Sequence, residues 1–286
     1  MKVPKDALTS YTERREMSSS LRLVGRRALI TGSFQGIGLA VAKSLASEGA
    51  AIVLHGLANS PGKIDAIKQI KSAGNSNVLA VESDLRNYRE TEKMISEVLQ
   101  GGKIDILVNN AGIQHTATIE DMPREKWDDI LAVNLSSMFD TARLSLPGMV
   151  REGYGRIINI ASVHGLVASI AKAPYVAAKH GVVGLTKVIA LEYAAKGNPE
   201  IGGITANSIS PGWVETSLIE PQIQSRVDKH QGDRVAGIAD LLSEKQPSKR
   251  MSKPHEIGEL VKFLCLPTSH NITGASIPID GGWTAQ

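Results

Sequence analysis

What the sequence lacks sets its first bounds. It holds one cysteine in 286 residues, Cys265 in the apolar run VKFLCLP, so an intrachain disulfide framework is excluded and a small buried hydrophobe is expected there. Its seven histidines are scattered, without the close spacing of a zinc site, and no metal is expected. No uninterrupted apolar run approaches the roughly 20 residues that a spanning helix needs. Neither sign of charge dominates: 32 basic against 29 acidic residues leave +3, too small and too evenly spread to point to nucleic acid. The opening stretch MKVPKDALTSYTERREMSSS has no apolar core, so it reads as neither a signal peptide nor an anchor. Residues 1–22 are expected to be a disordered tail, with Met17 an alternative start, and the protein is expected to be cytoplasmic, with no membrane partner.

What is present, from Leu23 onward, is alternation. Short β-branched or aliphatic runs (RALIT, AAIVLHG, NVLAVES, IDILVNN, RIINIAS, GITANSIS, ASIPIDGG) alternate with longer helical patterns. Strands this apolar are buried on both faces, and strand–helix alternation implies right-handed parallel crossovers. The expectation is an α/β fold: one doubly wound parallel sheet of about seven strands over residues 23–286, with no linker or repeat dividing it. The stretch from about 215 to 247 is expected to form a mobile helical lid, and the insert at 195–204 a surface loop.

Three features carry chemistry. After the first strand stands TGSFQGIG, where Gly32, Gly36 and Gly38 precede a helix opening at about Gly36. Missing side chains let the backbone turn tightly, and the helix N-terminus offers N–H groups and partial positive charge to a pyrophosphate. In KAPYVAAKHG, Tyr175 and Lys179 lie four residues apart, on one face of a helix. Between and after these come NNAG (Asn109 to Gly112), Asn134 in AVNLSS, Ser162 in NIAS, and SPGWVET after the sixth strand. Taken singly, each has a bland account: Tyr175 a half-buried aromatic, Lys179 a surface lysine, Ser162 a turn residue, Asn134 a helix cap, Asp84 the N-cap of the next helix.

In this order the motifs resemble the short-chain dehydrogenase/reductase family, whose glycine loop has three residues between its first two glycines. The resemblance runs from about Leu23 to the C-terminus and implies a catalytic set of Asn134, Ser162, Tyr175 and Lys179. Tyr175 would exchange a proton with the substrate hydroxyl, Lys179 would lower the phenol pKa, Ser162 would hold the substrate oxygen, and Asn134 would fix a water that relays protons through Lys179. It further implies cofactor contacts at Gly32, Ser33, Gln35, Gly36, Ile37, Gly38, Asp84, Leu85, Asn110, Ala111, Gly112, Tyr175, Lys179, Pro211, Gly212, Val214 and Thr216. The second strand ends LHGLANS, with neither an acid for ribose hydroxyls nor a base for a 2′-phosphate, and Lys63 is the nearest cation downstream. NAD is the expected cofactor, mainly because a phosphate partner is missing.

The stretches NNAGIQHT, SVHGLVASIAKAPYVAAKHG, SPGWVETSLIEPQI and LLSEKQPS resemble the branch of that family acting on D-3-hydroxybutyrate. This implies substrate contacts at Gln114, Ser162, His164, Lys172, Tyr175, Trp213 and Gln222. An amide, an imidazole and an ammonium suit a small carboxylate, with Trp213 walling the methyl end. Alternatives are an NADPH-dependent 3-oxoacyl reductase, a polyol dehydrogenase, or a catalytically silent NAD-binding regulator. The segment YVAAKHGVVGLTKVIALEYAAKG is apolar around much of its circumference, ASIPIDGGWTAQ is a second candidate contact, and the resemblance implies a homotetramer.

Overall fold

The computed structural model describes residues 21–73 and 77–285. Of the expected tail, residues 1–20 lie outside the described residues; Arg22 pairs with Glu48 at 2.7 Å. Seven strands form one parallel sheet in the order β3-β2-β1-β4-β5-β6-β7. They are β1 (Arg27–Ile30), β2 (Ala51–Gly56), β3 (Val78–Glu82), β4 (Ile106–Asn109), β5 (Gly155–Ile160), β6 (Ile204–Pro211) and β7 (Ser276–Ile279). The helices between them are α1 (Gly36–Ala46), α2 (Lys63–Ser72), α3 (Tyr88–Gln100), α4 (Arg124–Leu131), α5 (Ser137–Glu152) and α6 (Ala173–Tyr193). Three more, α7 (Glu220–Lys229), α8 (Arg234–Lys245) and α9 (Pro254–Cys265), lie between β6 and β7.

Alternation along the strands feeds two cores. Ala28, Ile30, Ile52 and Leu54 point to one face and pack with Val41 and Leu45 of α1, Ile70 of α2, and Ile257, Val261 and Leu264 of α9. Leu29, Val53, Leu107 and Ile157 point to the other, against Met94 and Val98 of α3, Leu146 and Met149 of α5, and Ile189 of α6. Burial on both faces explains why these strands read as near-continuous apolar runs.

The strand order reverses direction between β1 and β4. Connections from the two leave in opposite directions there, which opens a crevice at the carboxyl ends of the strands. The expected lid is a helical hairpin: α7 packs on α8 through Ile223, Val227 and Leu241, with Trp213 and Met251 against the same cluster. The insert forms a short 3₁₀ turn at Pro199–Ile201, whose Asn198 side chain accepts the Glu200 N–H at 2.9 Å. Among the described residues no helix is long and apolar enough to cross a membrane.

Candidate active site

The crevice holds a cavity of about 500 Å³, lined on one side by Gly32, Phe34, Gln35, Gly36 and Ile37 and on the other by Ser162, Tyr175 and Lys179. Gly32 and Gly36 both have positive φ (61° and 58°), the region that favours glycine. A Cβ on Gly38 would stand 2.4 Å from Gly32 O and 2.6 Å from Asn110 Nδ2. The turn is held from the neighbouring strand: Thr31 Oγ1 accepts the Asn110 and Ala111 N–H groups at 2.9 and 3.0 Å, and Asn110 Nδ2 donates to Thr31 O and Gly32 O, both at 2.9 Å. The NNAG segment therefore buttresses the glycine turn. Together with the N–H groups that open α1, this cradle fits a dinucleotide pyrophosphate.

Most of the expected cofactor contacts line the cavity, including Asp84, Leu85, Gly112, Pro211, Gly212, Val214 and Thr216. Two stand apart. Ser33 is fully buried, its Oγ donating to Ile30 O at 2.8 Å and accepting the His55 N–H at 2.9 Å, and Gly38 packs inward behind the turn. Phe34 and His55 line the cavity instead, and sequence reasoning passed over both. Asp84 is not a helix cap: Asn87 caps α3, while Asp84 pairs with Arg86, whose hydrogen bond holds its carboxyl below the usual range.

Asn134 sits in a π-helical turn, Ala132–Ser136, joining α4 to α5. Its side chain bonds the Ile113 main chain twice: Oδ1 accepts the Ile113 N–H and Nδ2 donates to Ile113 O, both at 2.9 Å. The Asn134 amide thus clamps the segment after β4. A buried polar chain missed in the sequence runs alongside, from Thr141 through Asn109 and Asn159 to Thr186, in steps of 2.7, 2.9 and 2.9 Å.

Tyr175 and Lys179 are both enclosed, on the cavity side of α6. Lys179 Nζ donates to Ile160 O at 2.7 Å and lies 5.7 Å from the Tyr175 ring centre. Burial raises the Tyr175 phenol pKa, opposed by a hydrogen bond from Ser162, and burial pushes Lys179 down to about 7. Low dielectric penalises both charged forms, so the lowering expected from the sequence draws on Lys179 together with the positive ring of an oxidised nicotinamide. Ser162 Oγ also accepts the His164 N–H at 3.2 Å.

Beyond Tyr175 the expected substrate residues converge. The His164 ring lies 6.1 Å from the Tyr175 ring, and Lys172 Nζ 5.3 Å from the Trp213 ring centre. Trp283, read in the sequence only as part of a possible subunit contact, turns inward: its ring stands 5.5 Å from His164 and 5.6 Å from Trp213. Burial, then the Lys172 charge, pushes His164 down to about 4. Lys172 itself is buried, which lowers its pKa, and it makes no salt bridge among the described residues. His164 Nδ1, Trp213 Nε1 and Gln222 Oε1 are buried without a hydrogen-bond partner. Gln114 differs: its amide donates to Leu218 O at 2.9 Å, tying the loop after β4 to the lid base. Among the described residues there is no metal-holding cluster of histidine, cysteine and acidic residues.

A family model described as short chain dehydrogenase matches residues 26–226. The chain is 48% identical to a D-beta-hydroxybutyrate dehydrogenase of Cupriavidus necator, over 92% of this chain and all of that one. It is 44% identical to a D-beta-hydroxybutyrate dehydrogenase of Rhizobium meliloti, over 91% and 99%. Among solved structures, a gluconate 5-dehydrogenase from Burkholderia cenocepacia in complex with NADP and tartrate superposes with a TM-score of 0.81. It is 34% identical and covers 93% of this chain and 98% of its own.

Proposed function

This chain belongs to the short-chain dehydrogenase family, and we propose that within it the protein interconverts D-3-hydroxybutyrate and acetoacetate with NAD as hydride carrier. The observation that carries the substrate reading is the group of buried polar atoms without protein partners beyond Tyr175. Burying a polar atom without a partner costs roughly 1–3 kcal/mol, so His164 Nδ1 and Trp213 Nε1 in that state, beside the buried Lys172 side chain, favour an acceptor-rich anion. The neighbouring rings of Trp213 and Trp283 offer an apolar wall suited to a methyl end. The two hydroxybutyrate dehydrogenases among the relatives support the same reading.

A bound nicotinamide dinucleotide supplies the hydride acceptor and, when oxidised, a positively charged ring. The chain's residues do the rest. Lys172 and His164 hold the carboxylate, fixing which hydroxyl faces Tyr175. Ser162 Oγ hydrogen-bonds that hydroxyl, and Tyr175 Oη takes its proton as the carbon is oxidised, or returns it in reduction. Lys179, held on Ile160 O 5.7 Å from the Tyr175 ring centre, would act with the positive ring of the oxidised cofactor to offset the burial that raises the phenol pKa. The indoles exclude water.

NAD over NADP is supported by the rim of the cavity. Leu57 follows β2, Lys63 is paired with Glu82 at 2.9 Å, and Arg86 is held by Asp84 and Asp129, so each nearby cation already has an acidic partner. The test is reduced-nicotinamide absorbance with D- and L-3-hydroxybutyrate, each with NAD and with NADP. Turnover of the D acid with NAD is expected. Preference for NADP would overturn the cofactor assignment, and no turnover of either acid by protein that binds NAD would overturn the substrate assignment.

A further inference from the structure

His55, the penultimate residue of β2, is 2% exposed and has no part in the reaction above. Its imidazole is engaged at both nitrogens. Nδ1 lies 3.2 Å from the Gly32 nitrogen, and because a main-chain N–H can only donate, Nδ1 carries the lone pair. The proton is therefore on Nε2, which lies 3.0 Å from Ser83 Oγ and 3.2 Å from Ser83 O. Main-chain bonds follow the same path: Ser33 N–H donates to His55 O at 2.8 Å, and Ser83 N–H to Gly56 O at 3.2 Å.

One ring thus spans the ends of β1, β2 and β3. Tyr175 follows β5, so a bound dinucleotide would set its reacting half toward the residues after β4 to β6 and its adenosine half toward those after β1 to β3. Gly32, Phe34, Ser83, Asp84 and Leu85 all line the cavity there, as does His55, which is bonded to both Gly32 and Ser83. Burial pushes the imidazole pKa down to about 4, so the neutral ring is the form present near neutrality. A charged ring would turn an N–H toward the Gly32 N–H and lose that bond.

We infer that His55 is a positioning residue for the adenosine half of the cofactor site, its neutral Nε2–H tautomer fixing the glycine turn at Gly32 relative to the Ser83–Leu85 wall. The inference rests on the reading of the cavity as a nicotinamide dinucleotide site. A ring that merely filled the core would be replaceable by phenylalanine with no effect on affinity. A positioning ring would not be, because phenylalanine leaves the Gly32 N–H and Ser83 without their partners. Asparagine can set Oδ1 where Nδ1 stands and restore the Gly32 bond alone.

The test is calorimetric titration of wild type, His55→Phe and His55→Asn with ADP-ribose, which lacks the nicotinamide, together with kcat at saturating cofactor. His55→Phe is expected to weaken ADP-ribose by about tenfold, His55→Asn to fall between it and wild type, and kcat to stay within about twofold. ADP-ribose affinity in His55→Phe within about twofold of wild type would overturn the inference, as would kcat falling in step with affinity. Nitrogen-15 NMR of the wild-type ring at pH 7 tests it without any variant: a neutral Nε2–H tautomer is expected, and an Nδ1–H or doubly protonated ring would overturn it. Failure of wild type to bind NADH or NADPH would defeat the cofactor reading and this inference with it, whereas undiminished binding in both variants would defeat the inference alone.

Discussion

Tyr175 differs from phenylalanine by one oxygen, and that oxygen is the only group at its position able to exchange a proton with substrate. Tyr175→Phe is therefore expected to keep NADH binding and lose turnover by a factor of about 10² or more, checked by fluorescence titration beside steady-state rates. Lys172→Ala removes the buried lysine proposed to hold the carboxylate. It is expected to raise KM for 3-hydroxybutyrate by about tenfold or more while sparing an uncharged ketone analogue, and an equal loss on both would defeat the carboxylate reading. Two histidines contribute to acid sensitivity. His55 and His164 are pushed from 6.5 down to about 4 by burial, so between those values the unfolded chain binds protons that the folded chain does not. Stability is thus lost as pH falls from about 6.5 to about 4, by at most about 3 kcal/mol per ring. Urea unfolding of wild type against the double variant His55→Asn/His164→Asn should show a flatter pH profile in the variant over that window. The residues carrying the proposed chemistry were readable because their types and spacings are local motifs. His55 and Trp283 were not, because their roles depend on which strand ends and which distant turn the fold brings beside them.

At the scale of elements, the turn from β1 into α1 has the least tolerance. Gly38→Ala would drive a methyl to within 2.4 Å of Gly32 O and 2.7 Å of Ser33 Cα, and backbone cannot yield there as a side chain can. Overpacking of this kind costs roughly 1–3 kcal/mol, and because the displaced atoms are the cradle itself, cofactor affinity should fall further than thermal stability does. Differential scanning fluorimetry with and without NADH separates the two effects: a variant whose Tm rises on NADH addition as much as wild type would refute the assignment of this turn. The strands and their parallel pairing were legible from apolar runs alternating with helical periods, since burial on both faces leaves that signature directly. The π turn at Asn134 was not, because it is set by the Asn134 side chain reaching the Ile113 main chain, a tertiary contact with no local signal. The stretch of α7 and α8 was legible as helical, but its pairing into a hairpin was not, for that rests on its apolar residues packing on one another.

For the whole molecule, the question is what covers α6. Its inner face fills the core and lines the cavity, yet Gly184, Val188 and Leu191 form an outward stripe at helical spacing, with Val188 49% and Leu191 85% exposed and open space beside Gly184. On neighbouring α5, Phe139 is 49% exposed. A single exposed leucine needs no explanation, but an aligned row on a helix already buried opposite does. The proposal that the protein assembles as a homotetramer draws on this stripe; in the other candidate contact, ASIPIDGGWTAQ, the Trp283 ring is buried against His164 and Trp213 of its own subunit. Light scattering on the purified protein should give about four times the 30.5 kDa of one chain. Val188→Lys with Leu191→Glu, which place charge on the stripe without touching the core, should lower that mass. Because α6 also carries Tyr175 and Lys179, a smaller assembly that keeps its fold but loses kcat would show that the contact steadies the catalytic face. Wild type running as a monomer, or variants unchanged in mass, would place the contact elsewhere.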